Sequence, residues 1–90
     1  MSDVGVRWDE SQMRRLYANV CNVMSSREEV VLLFGTSQAP LGGEAELAVQ
    51  LTDRVILSPL TAKHLYDMLQ DVLREYEARF GALPDPRVTP

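Results

Sequence analysis

This chain has one cysteine, Cys21, one histidine, His64, and one tryptophan, Trp8, among its 90 residues. A single cysteine excludes an intrachain disulfide and fits a reducing compartment. One histidine and one cysteine cannot supply the several convergent ligands of a transition-metal site. The only Cys-His nucleophile pair available is Cys21 with His64 itself. No stretch approaches 18 apolar residues, so no membrane-spanning helix is expected. No basic region followed by an apolar run opens the chain, so no signal peptide is expected either, and a cytoplasmic protein is the default. Basic residues are few: 9 against 13 acidic ones, for a net charge of -4. Binding to a phosphate backbone needs a clustered basic face. Arg14, Arg15 and Lys63 are too scattered to make one, so neither nucleic acid nor membrane is expected as a partner. Gly42-Gly43 lacks the spacing of a phosphate loop, and no cofactor is expected.

What is present is a moderately apolar chain, 46% hydrophobic and 24% charged, within the ordinary range for a folded domain. The length allows one domain with a small core. Residues 1–7 read as a tail, residues 8–82 as the domain, and residues 83–90, with three prolines in the last stretch, as a second tail.

Along the chain, Trp8 to Arg15 is polar. Asp9 with Gln12 has the spacing of a cap on one helical turn, with Met13 and Leu16 inside. An edge strand is the competing reading. Leu16 to Met24 reads as a first strand, with Tyr17, Asn19, Cys21 and Val23 on one face and Ala18, Val20, Asn22 and Met24 on the other. Ser25-Ser26-Arg27-Glu28 is a polar hairpin turn. Glu29 to Phe34 is the clearest strand, with Val30, Leu32 and Phe34 opposite Val31 and Leu33. Such a run, apolar on both faces, belongs in a sheet covered on both sides. Gly35 to Glu44, with Pro40, Gly42 and Gly43, reads as a loop. Ala45 to Leu57 alternates Leu47, Val49, Leu51, Val55 and Leu57 onto one face, interrupted by Asp53. It is either one long bent strand or two strands meeting near Thr52-Asp53-Arg54, where a bulge would sit.

Ser58-Pro59 starts a helix: serine is a strong N-cap and proline suits the first helical position. Gly81 and Pro84 end it near Phe80. Ala62, Leu65, Tyr66, Leu69, Val72, Leu73, Tyr76 and Phe80 share a stripe about 120° wide. Asp67, Gln70, Asp71, Arg74 and Glu75 take the other side, and Glu75 is spaced for an ion pair with Arg79.

Three to four antiparallel strands followed by one long C-terminal helix make a two-layer α+β domain. One helix covers one face of the sheet. Part of the second face falls to the N-terminal segment with Trp8 and Met13, and the rest to another chain, because a large uncovered patch is a liability in a monomer. A homodimer or higher oligomer follows, with twofold symmetry the commonest solution. Trp8, Val31, Leu33 and Met68 are the residues expected at the association surface.

Tyr17-Ala18-Asn19, the turn at Ser25/Ser26 leading into Glu28 to Gly35, Arg54-Val55-Ile56-Leu57-Ser58-Pro59, Ala62-Lys63, and Tyr76-Glu77-Ala78-Arg79-Phe80-Gly81 together resemble a bacterial family of small proteins. It is a domain-of-unknown-function family, and the likeness covers about residues 15 to 82. Arg27 stands where the family has proline, and Val30 where it has phenylalanine. The resemblance implies a fold and almost no function. Its order of strands then helix looks like that of the SecB preprotein-export chaperones, oligomers that hold unfolded clients on apolar grooves. Fold likeness does not fix function.

The remaining polar residues read as structural. His64 points away from the helix stripe, and Cys21 lacks a cationic or helix-terminal setting. Asp53 and Arg54 suit a bend or an edge that resists aggregation. Asn19 and Asn22 suit side-chain-to-backbone bonding at a strand edge, with a polar contact across an interface as the alternative. With no acid/base pair, nucleophile pair or metal cluster, an enzyme is not expected. The reading is a non-enzymatic oligomeric interaction module, chaperone-like or an accessory subunit, with an unidentified protein partner or client. A structural component of a larger assembly is the alternative, and a small ligand-binding protein a distant third.

Overall fold

A computed structural model describes residues 5–37 and 48–84. It has three strands, β1 (Val20–Ser25), β2 (Val30–Ser37) and β3 (Val49–Leu57), followed by one helix, α1 (Pro59–Phe80). The strands form one antiparallel sheet in the order β1-β2-β3. The α+β arrangement read from the sequence is therefore the observed one.

The hairpin between β1 and β2 closes at Ser25 opposite Val30. The Ser26 N–H donates to the Glu29 carbonyl at 2.9 Å, and the Glu28 N–H donates to the Ser26 hydroxyl at 3.4 Å. Serine serves here as a turn residue because its hydroxyl supplies a local acceptor. The proline of the resembled family is not needed for the turn.

β1 starts at Val20, four residues later than the expected Leu16. The reason lies in Asn19. Its side-chain amide accepts from the Ser37 N–H at 2.9 Å and donates to the Ser37 carbonyl at 3.1 Å. Toward β1, the last described residue of β2 thus pairs with a side chain instead of with backbone.

Gly35, Thr36 and Ser37 belong to β2 and not to the loop expected there. Pro40, Gly42, Gly43 and residues 45–47 lie outside the described residues. β3 is a single strand with an irregularity where the sequence placed one. Phe34 faces Asp53 but Gly35 faces Leu51, leaving Thr52 as the extra residue. The Thr52 hydroxyl donates to the Phe34 carbonyl at 3.3 Å. An extra residue shifts the alternation. Val49 and Leu51 therefore sit across from Ser37 and Gly35, while Val55 and Leu57 sit across from Leu32 and Val30. The single apolar face expected for Ala45 to Leu57 is split between the two sides of the sheet.

Gly35 is buried at this bulge. A Cβ there would run into the Gln50 carbonyl oxygen and come within 2.9 Å of the Leu51 Cα. Only glycine permits so close an approach of two backbones.

The helix begins as expected. Ser58 is its N-cap, with an extended backbone (φ -66, ψ 153). The Ser58 hydroxyl accepts from the Thr61 N–H at 3.1 Å and donates to the Thr61 hydroxyl at 2.9 Å. Gly81 ends it with φ 102, and its N–H donates to the Glu77 carbonyl at 2.9 Å. A positive φ of this kind is glycine territory. The Leu83 N–H then donates to the Glu77 carboxylate at 2.6 Å.

One expectation fails outright: α1 does not cover the sheet. It makes almost no contact with any strand, and none of its residues is buried. Ser58 alone separates Leu57 of β3 from Pro59 of α1. A helix that folds back onto its sheet ordinarily needs a connection of about 2–6 residues. Here a single residue, held by its own capping bonds, launches the helix onward.

Candidate interaction surface

Paired residues share a face of the sheet, so the register assigns both faces. On the first face the rows are Ser25–Val30–Leu57, Val23–Leu32–Val55 and Cys21–Phe34–Asp53. On the second they are Met24–Val31–Ile56, Asn22–Leu33–Arg54 and Val20–Gly35–Leu51. The middle row of the first face is wholly apolar. The middle row of the second sets Leu33 between an amide and a guanidinium.

Leu33, at 9% exposure, is the one buried apolar side chain among the described residues. Val31, Leu32 and Phe34 are half-buried. The flanking strands and the helix stripe are open: Val23, Met24, Ile56, Leu69, Val72 and Phe80 all expose about half of their surface or more. The accessible area is 8820 Å². A folded monomer of 10.1 kDa has about 5,300 Å².

The four residues expected at the association surface are not brought together as one patch. Leu33 is a covered floor, and Val31 lies beside it on the second face. Met68 is on α1, exposed to solvent. Trp8 is 85% exposed and covers no part of the sheet, contrary to the shielding role expected of the N-terminal segment. Residues 5–18 are neither helix nor strand. The Asp9 carboxylate accepts from the Ser11 N–H at 3.0 Å, and the Met13 N–H donates to the Glu10 carbonyl at 3.1 Å. Asp9 therefore closes a local turn with Ser11, two residues on, and does not cap a helix at Gln12. The hydrogen bonds from the Ser11 N–H and hydroxyl hold the Asp9 carboxyl below its ordinary range.

Two of the surface grooves exceed 500 Å³. One, of about 540 Å³, runs beside Phe34 and Cys21 and is walled by Leu16, Ala18 and Asn19. The other, of about 530 Å³, lies on α1 along Tyr66, Leu69 and Leu73. The first is largely apolar, while the second sets its apolar residues beside Gln70, Arg74 and Glu77, with the Gln70 amide donating to the Tyr66 hydroxyl at 3.4 Å. Tyr76 and Phe80 lie side by side on the helix, with ring centroids 5.0 Å apart.

Two polar side chains make the side-chain-to-backbone bonds expected of them. Asn19 bonds to backbone, as described, and the Asn22 side chain accepts from the Val23 N–H at 2.9 Å. Asp53 and Arg54 stand on opposite faces of the edge strand β3. The helix ion pair is Lys63–Asp67, at 4.0 Å, in place of the expected Glu75–Arg79. Among the described residues no group of His, Cys, Asp or Glu is placed to hold a metal ion. No helix among the described residues is long and apolar enough to cross a membrane.

A family model covers residues 1–85. The chain belongs to the DUF3467 family of proteins of unknown function. No curated protein and no solved structure matches it. DUF3467 membership accounts for the sequence likeness from Tyr17 to Gly81.

Proposed function

We propose that this DUF3467 protein is a non-enzymatic, oligomeric protein-interaction module, a chaperone-like binder or an accessory subunit. The observation that carries this reading is the small core: among the described residues Leu33 is the one buried apolar side chain. Ordering each residue costs about 1–2 kcal/mol of backbone entropy. One buried leucine cannot offset that over the described residues, so a partner must complete the fold. The exposed apolar side chains of both sheet faces and of the α1 stripe are the material for it. Burial of this area provides affinity, and the charged rim, with Arg54, Asp67 and Asp71, gives selectivity.

A permanent structural role in a larger assembly is the competing reading. Light scattering of reduced, aggregating insulin with increasing amounts of the purified protein separates the two. Suppression near stoichiometric ratio supports the chaperone-like reading. No suppression, together with co-purification in one complex of fixed composition, supports the structural one. A protein that stays a single folded copy and does neither overturns the proposal.

A further inference from the structure

Resting on that reading, we propose that the sheet's occupant is a second copy of this chain and that the two copies exchange helices. The apolar stripe of α1 from each copy lies across the Val23–Leu32–Val55 face of the other.

Three observations lead there. First, α1 cannot serve its own sheet, because Ser58 is the only residue between Leu57 and Pro59. Second, the pieces match in size. The 22 residues of α1 span about 33 Å, and the nine residues of β3 span about 30 Å. One helix is wide enough to cover most of three strands about 4.8 Å apart. Each dimer then holds two open faces and two free helices, which closes the arrangement under a twofold axis. Third, both surfaces of the proposed contact are open: Val23 is 58% and Val55 39% exposed on the sheet face, and Leu69, Val72 and Leu73 are 49%, 61% and 46% exposed on α1.

The choice of face follows from its polarity. The central row of the chosen face, Val23–Leu32–Val55, is apolar and its one charge, Asp53, stands at the Cys21–Phe34 end, whereas the central row of the opposite face holds Asn22 and Arg54, which a helix there would desolvate. The exchange also leaves Asp67, Asp71 and Glu75 of α1 on the solvent side. The opposite face, with Met24 and Ile56 exposed, remains open for the partner or client.

The test is subunit complementation between Leu69→Asp, in the middle of the helix stripe, and Val23→Asp, on the sheet face. Each variant alone breaks both helix-on-sheet contacts of its dimer. A mixed dimer keeps one contact intact, between the unaltered helix of one chain and the unaltered sheet of the other. The two variants, one isotopically heavy, are co-refolded from denaturant and weighed by native mass spectrometry. Mixed dimers at least about tenfold more abundant than either homodimer are expected. If the wild type dimerises but the variants show no preference for mixing, like faces pack on like and the exchange is overturned. If the wild type is itself a folded single copy, the oligomeric reading falls with it. Should the aspartates prevent refolding in every mixture, Leu69→Ala and Val23→Ala give the same comparison, and equal homodimer and mixed-dimer yields there also overturn the exchange.

Discussion

The side chain of Asn19 takes the place of a peptide group against Ser37, accepting from its N–H at 2.9 Å and donating to its carbonyl at 3.1 Å. This two-point bond ties the residue before Val20, at the start of β1, to the last described residue of β2.

Asn19→Ala therefore leaves both Ser37 backbone groups without their protein partner. Two exposed hydrogen bonds at the low end of the usual range make the expected loss about 1 kcal/mol. Asn19→Asp keeps the acceptor but sets a carboxylate against the Ser37 carbonyl, so it should not rescue. Urea unfolding at one fixed protein concentration checks both. An unchanged midpoint for Asn19→Ala would mean that the bond does not hold the ladder end.

Gly35→Ala places a methyl group against the Gln50 carbonyl and the Leu51 Cα. Neither is the movable end of a side chain, so the bulge itself must shift. A cost of about 1–3 kcal/mol is expected, as for other overpacked sites. A thermal unfolding scan reads it. A melting temperature equal to that of the wild type would show that β3 slides freely past β2.

Ser58→Ala removes the cap on the Thr61 N–H and should cost about 1 kcal/mol. Because Ser58 is also the sole link between β3 and α1, the loss should appear as fraying of the first helical turn. Faster amide exchange at Thr61 and its neighbours is the expected signature. Exchange unchanged at Thr61 would assign the cap to another group.

Asp9 should titrate below the ordinary aspartate range, because the Ser11 N–H and then its hydroxyl bond to the charged form. A depressed carboxylate supports its turn at pH values above the ordinary aspartate pKa. That support is lost as pH falls through the lowered value. Ser11→Pro removes both donors at a turn position that accepts proline. Carboxyl carbon chemical shifts should then show Asp9 returning toward its usual range. An Asp9 titration identical in the two proteins would mean that the bond to Ser11 is not what lowers it.

Much of the fold was legible in the sequence because its signals are local. The Ser58-Pro59 cap, the Gly81 stop, the two-faced strand through Leu32 and Leu33, and the bulge near Thr52 each rest on neighbouring residues. The start of β1 was not legible, because it depends on an Asn19 contact 18 residues away. The fate of Val49 and Leu51 was misread for the same reason, since strict alternation fails once Thr52 is extra. The undocked helix had a readable sign, the single residue between strand and helix, outweighed by the usual rule that a stripe packs on its own sheet. Of the four residues expected at an association surface, Trp8 and Met68 are exposed, Val31 is half-buried and Leu33 is buried, so apolar composition alone did not separate open from covered positions.

The account rests on the chain lacking a fold of its own, and the mass of the folded protein at sedimentation equilibrium tests that most directly. At least twice the 10.1 kDa of one chain is expected, with helical content lost together with mass on dilution. A folded species that holds at 10.1 kDa across the whole concentration range would contradict it.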